Sequence, residues 1–175
     1  MIRSDFVSRT AAALVLAVCL LALAPLRPGF AQSAPIEDLA AFPRTKLEIH
    51  SRTQPPSVQS FDVWIANTPA RQEQGLMYVR DLPAGQGMIF PEQPPRVMNM
   101  WMKNCYISMD MVFISPQGRI SKIIARAKPM SEDTLSSDTP VGAVLEIGAG
   151  EAARLQLRVG DRVSWSEGQM RAPAA

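Results

Sequence analysis

From residue 44 onward the apolar residues arrive in bursts of four to eight, divided by Pro, Gly, Asn or Ser. Bursts of that length are too short for most helices and match the length of strands, so a largely β domain is the first expectation. Strands are expected at 46–50, 61–66, 87–90, 97–103, 108–115, 119–127, 143–148 and 162–166, with Pro116-Gln117-Gly118 turning between two of them. Two short helices interrupt the pattern. Thr68 before Pro69 is an N-cap followed by proline at the first helical position, and opens a helix through Gln74. The other runs from Glu151 to Leu157 and stops before Val159-Gly160-Asp161. Many short strands with two brief helices define an α+β, β-rich class: a small, antiparallel-dominated, barrel-like sheet that hides its edges.

The first 31 residues read differently. Arg3 and Arg9 precede AAALVLAVCLLALA at 11–24, a run of 14 residues with no charge, Gly or Pro. A membrane-spanning helix needs roughly 20 such residues, and Pro25 and Pro28 follow at once, so the segment has the form of a secretory signal. Small residues at Gly29 and Ala31 place the cut after Ala31. No pair of arginines opens the segment, which favours the general secretory route. The competing readings are an uncleaved anchor, disfavoured by the short run, and lipid attachment at Cys19, disfavoured by Val18 and by its place inside the run. The expected location is the periplasm or the cell exterior, with no stable membrane insertion after cleavage. Residues 32–43, rich in Ala and Pro, are expected to be a mobile lead-in, 44–167 a single domain, and 168–175 a disordered tail.

Cleavage changes two balances. The chain has 18 basic and 16 acidic residues; removing Arg3, Arg9, Arg27 and Asp5 leaves 15 of each. A neutral domain has no net pull toward a phosphate backbone, which argues against a nucleic-acid partner. Cleavage also removes Cys19, leaving Cys105 with no partner for a disulfide within one chain. The remaining 175 − 31 = 144 residues are enough to bury a core without one, and a monomer is expected.

The most informative stretch is 98–114. Met98, Met100, Met102, Met109 and Met111 crowd it, with Trp101 and Phe113 among them, yet it also holds Lys103, Asn104 and Asp110. Ionised groups enter apolar surroundings only when partnered. If residues 104–107 form a hairpin loop, Lys103 lies diagonal to Asp110, which predicts a partly buried ion pair covered by Trp101, with Asn104 capping the turn. Glu146, inside Val144-Leu145-Glu146-Ile147, is a second carboxylate in an apolar burst, and Arg71 and Arg80 flank Gly75-Leu76-Met77. Convergence of Arg71, Arg80, Trp101, Lys103, Asn104, Asp110 and Glu146 would make a ligand-binding cleft of alternating charge.

Arg71, Gly75-Leu76-Met77, Arg80, Leu82, Gly87-Met88, Phe90, Trp101-Met102-Lys103-Asn104, Asp110, Phe113-Ile114, Leu145-Glu146, Gly150 and Gly160-Asp161 together resemble the family named domain of unknown function 192. The resemblance covers residues 46–166. It implies a compact β-rich domain with small helices, often exported, and implies no activity. It departs at Cys105, where the family usually carries Thr, which speaks against a thiol mechanism.

Three functional classes follow from these residues. The preferred one is an exported binding or accessory module rather than an enzyme, holding a small polar or anionic ligand such as a carboxylate or saccharide. The second is a hydrolase using Asp110 and Glu146 as an acid–base pair with Lys103. Nothing resembles a nucleophile elbow, and His50 has no evident nucleophile beside it. The third is a copper(I) carrier: Met98, Met100 and Met102 at period two would share one face of a strand, although Met is ordinarily a core filler. One His and one mature Cys make no zinc set, and no phosphate-cradling loop or other cofactor motif is legible.

Overall fold

The computed structural model describes residues 36–52 and 55–166. The expected signal at 1–31 and the tail at 168–175 lie outside the described residues. Among the described residues nine strands and two short helices follow a 3-10 turn at Leu39–Ala41: β1 (Arg44–Ser51), β2 (Ser57–Ile65), α1 (Pro69–Gln74), β3 (Gln86–Arg96), β4 (Asn99–Met100), β5 (Met109–Ile114), β6 (Ile120–Ala127), β7 (Leu135–Ser136), β8 (Val141–Gly148), α2 (Glu151–Arg154) and β9 (Arg162–Trp165). The α+β, β-rich class holds.

Seven strands form one sheet in the order β6-β5-β8-β3-β2-β1-β9; β4 and β7 pair separately. Every pairing in the large sheet is antiparallel except β2 with β3, which run parallel with α1 between them. The sheet is not closed into a barrel. Among the described residues its edges approach at an isolated bridge between Arg119 and Arg162, with backbone bonds beside it such as Val163 N–H to the Gly118 carbonyl.

Alternation along the strands sends side chains to two apolar layers. One holds aliphatic residues such as Leu47, Ile49, Val63, Ile89, Val112, Leu145 and Ile147, with Ala152 and Leu157 from the α2 region. The other is rich in methionine and aromatic residues: Met88, Phe90, Met98, Met100, Met102, Met109, Met111 and Phe113, with Cys105 and Leu76. β5 and β8 are buried on both faces, which explains why their apolar residues do not alternate with polar ones and why Asp110 and Glu146 are the exceptions in them.

Two local expectations fail. The stretch 97–103 is not one strand: only Asn99–Met100 is extended, and it pairs with Leu135–Ser136. No hairpin therefore joins it to β5, whose neighbours are β6 and β8. Ahead of β1, Phe42 is 3% exposed and Glu37 bonds to α1, so packed structure extends upstream of Arg44.

Candidate functional site

The second apolar layer contains a buried acid. Glu146 on β8 is paired across the sheet with Met88 on β3 and Met111 on β5, so its carboxyl group shares their face. It is 3% exposed, and among the described residues its Oε2 atom has no hydrogen-bond partner. Burial among these groups pushes its pKa up to about 8, which keeps the carboxyl neutral at pH 7.

Above Glu146 the layer is not sealed. A cavity of about 50 Å³ is lined by Gln72 to Met77, Phe90, Asn99, Met100, Trp101, Lys103, Cys105 and Glu146. That is enough for a few waters or a fragment the size of a carboxyl group.

One wall is α1 and its exit. Thr68 accepts a bond from the Arg71 N–H and Pro69 occupies the first turn, as expected from sequence. The helix ends at Gly75, whose φ of 49° and position against the Phe90 ring suit a residue without a side chain. Arg71 anchors this wall. Its Nε and Nη2 donate to the Glu37 carboxylate at 3.0 and 2.7 Å, and its guanidinium stacks on Phe42. The buried Gln74 side chain exchanges two 2.7 Å bonds with the Glu37 backbone, while Gln72 donates to the Pro91 carbonyl.

The other wall comes from the segment after β3. Backbone bonds from Met102 to Ser131 and from Cys105 to Met102 fix it. Trp101 stands 41% exposed, and the Lys103 ammonium lies 5.3 Å from the centre of its ring. Among the described residues Lys103 makes no ion pair. Burial, reinforced by the Glu146 charge, pushes the Cys105 thiol up to about 12, so it is no nucleophile at neutral pH.

Trp101, Lys103 and Glu146 are thus brought to one cleft, and the other four proposed residues are placed outside it. Arg71 supports the wall from behind. Arg80 is exposed and stacks on Tyr106, 4.7 Å from its ring centre. Asn104 adopts a left-handed φ of 57°; its side chain reaches Met77 Sδ and its carbonyl accepts the Tyr78 N–H. It shapes the rim without capping a hairpin.

Asp110 shows the largest departure. The expected ion pair with Lys103 does not form. Asp110 stands opposite Ile147, on the aliphatic face, and is fully buried. Its carboxylate accepts the Arg126 N–H at 2.8 Å, the Gly150 N–H at 3.0 and 2.9 Å, and the Ala152 N–H at 2.9 Å. It therefore caps the start of α2 from another strand, with backbone donors supplying the partners that a cation was expected to give.

Two functional expectations change with this geometry. Asp110 and Glu146 face opposite sides of the sheet, so they form no acid–base pair across one substrate. The five methionines from Met98 to Met111 all lie in the buried layer around Phe90 and Phe113, without the continuous strand that would have aligned three of them. Sequence reasoning passed over Gln72, Glu73 and Asn99 as lining residues. Gln72 and Glu73 immediately follow Arg71 on the helix that the Thr-Pro cap had already located.

The chain belongs to the DUF192 family, described as an uncharacterized ACR, whose model matches residues 50–165. It is similar to a solved protein of Sinorhizobium meliloti provisionally described as a transcription regulator, with 35% identity and a TM-score of 0.68, over 71% of this chain and 95% of that one. It is also similar to a solved protein of unknown function from Novosphingobium aromaticivorans, with 32% identity and a TM-score of 0.70, over 77% of this chain and 94% of that one. No curated protein matches the chain.

Proposed function

We propose that the protein is an exported, monomeric binding module that takes a small polar or anionic group into the cleft above Glu146. The observation that carries this reading is the buried Glu146 carboxyl with a partnerless oxygen beside a cavity. A buried polar atom left without a partner costs about 1–3 kcal/mol, a cost that a bound group able to hydrogen-bond it would offset. Trp101 supplies an apolar rim and Lys103 a cation beside it, the combination that suits a ligand with both an apolar and a polar part. The export signal read at 1–31 supports a role in the periplasm or outside the cell.

A regulatory role exerted by direct contact with DNA would be favoured by a net positive charge. A chain cut after Ala31, with 15 basic and 15 acidic residues, has no such net charge. Following backbone amide shifts while small anions and polar molecules are added tests the binding reading. Perturbations should gather on residues 72–77, 99–105 and 146; shifts gathered elsewhere on the sheet would refute it.

A further inference from the structure

The same cleft indicates what chemistry its occupant brings. Resting on the binding reading above, we infer that the occupant is a short monocarboxylate, bound with one oxygen accepting the Glu146 O–H and the other facing the Lys103 ammonium. Three observations converge on this. Among the described residues Glu146 has an oxygen with no partner and Lys103 makes no ion pair, both line the same cavity, and its volume of about 50 Å³ admits a carboxyl group and little more.

The groups around Glu146 decide the sign of the ligand's charge. β3 presents Met88 and Phe90 and β5 presents Met111, all apolar. α1 contributes Glu73, which is exposed, and the segment after β4 contributes Lys103 and the Cys105 thiol. An ammonium ligand would require Glu146 to ionise against methionine and phenylalanine, and would meet Lys103 at the same cleft. A carboxylate needs neither: the neutral acid donates, the lysine neutralises, and the short alkyl part rests against Trp101.

The geometry also couples binding to a proton, because the ligand requires Glu146 in its protonated form. The Cys105 thiol, pushed up to about 12, stays protonated through the range in which Glu146 titrates. With Glu146 near 8, the binding-competent fraction falls about tenfold between about pH 6.5 and about pH 9.

The test is titration of the full chain with propionate, acetate and methylammonium at those two pH values, read from the amide shifts of Trp101 and Lys103. Propionate and acetate should bind at the lower pH and weaken about tenfold at the higher one. Glu146→Gln, which keeps a donor but cannot titrate, should bind propionate with the same affinity at both pH values, and Lys103→Met should lose it. Methylammonium binding that strengthens with pH would leave the cleft as a ligand site and overturn the carboxylate. A pH dependence that persists in Glu146→Gln would overturn the proton coupling. Silence from all three probes in a folded protein would remove the binding reading and this inference together.

Discussion

Asp110 and Glu146 sit one register step apart on the paired strands β5 and β8, yet project to opposite faces of the sheet: Asp110 stands opposite Ile147 and Glu146 opposite Met111. Both are acidic residues set in apolar runs, and both are buried. They differ in what surrounds them. Asp110 is saturated by backbone N–H groups, whereas Glu146 Oε2 has no partner among the described residues. The first therefore ties β5 to the start of α2, and the second is the group on which the proposed binding rests.

Replacing Asp110 with Asn should destabilise the protein by about 2–4 kcal/mol, because an amide group cannot accept from all the N–H donors that converge on it. Urea denaturation measures the loss. Ligand-induced shifts at Trp101 and Lys103 should persist in the folded fraction, since Asp110 faces away from the cleft.

Glu146 predicts a pH dependence of stability with a definite sign. Its folded-state pKa, about 8, lies above the ordinary value of 4.5. The unfolded chain thus gives up the proton first as pH rises. The stability associated with the neutral buried acid is complete below about pH 4.5 and declines progressively up to about pH 8, with a span on the order of 4–5 kcal/mol. Denaturation curves for wild type and Glu146→Gln should diverge across that window, the variant gaining on the wild type as pH rises. Parallel curves would contradict this origin of the effect.

Gly87 is packed against the strand that carries Glu146. A side-chain carbon there would run into the Glu146 backbone oxygen, with Ile147 Cγ2 only 3.1 Å away. Gly87→Ala should therefore destabilise by about 2 kcal/mol or more. It should also shift the amide signals of residues 145–148, which separates displacement of β8 from a general loss of stability.

The Glu37–Arg71 contact predicts a local effect. Arg71→Met removes both charged bonds to Glu37 and the bond to the Ala41 carbonyl. Amide exchange at Glu37, Ala41 and Phe42 should accelerate while exchange in β5 and β8 stays slow. Uniform acceleration would mean that Arg71 supports the whole domain.

Residue order alone located most of the strands because buried strands concentrate apolar residues and turns concentrate Gly and Pro. It also located α1, because Thr68-Pro69 has a local mechanism. Pairing was less accessible. The strand expected at 87–90 continues to Arg96 through Pro91, Pro94 and Pro95, with a register irregularity in its pairing with β8. The methionines at 98, 100 and 102 alternate as a strand would, yet backbone bonds to Ser131 and Ser137 bend the segment across the layer. That Asp110 needs partners is legible in its apolar setting; that they are backbone N–H groups and not the Lys103 ammonium is not. The clue lay in Gly148-Ala149-Gly150 before Glu151, where a helix start exposes N–H groups. Of the proposed site, Trp101, Lys103 and Glu146 were legible as polar or exposed residues among apolar ones. Their separation from Asp110 was not, because it depends on which strand lies next to β8.

The most direct measurement is the ionisation of Glu146 itself, followed through its side-chain carboxyl carbon signal in the full chain and assigned by its loss in Glu146→Gln. A carboxyl buried beside Met88 and Met111 should titrate near pH 8, about the value its burial dictates. A midpoint near the ordinary 4.5 would mean that water or a cation already satisfies it, and the cleft would lose the group on which its proposed function depends.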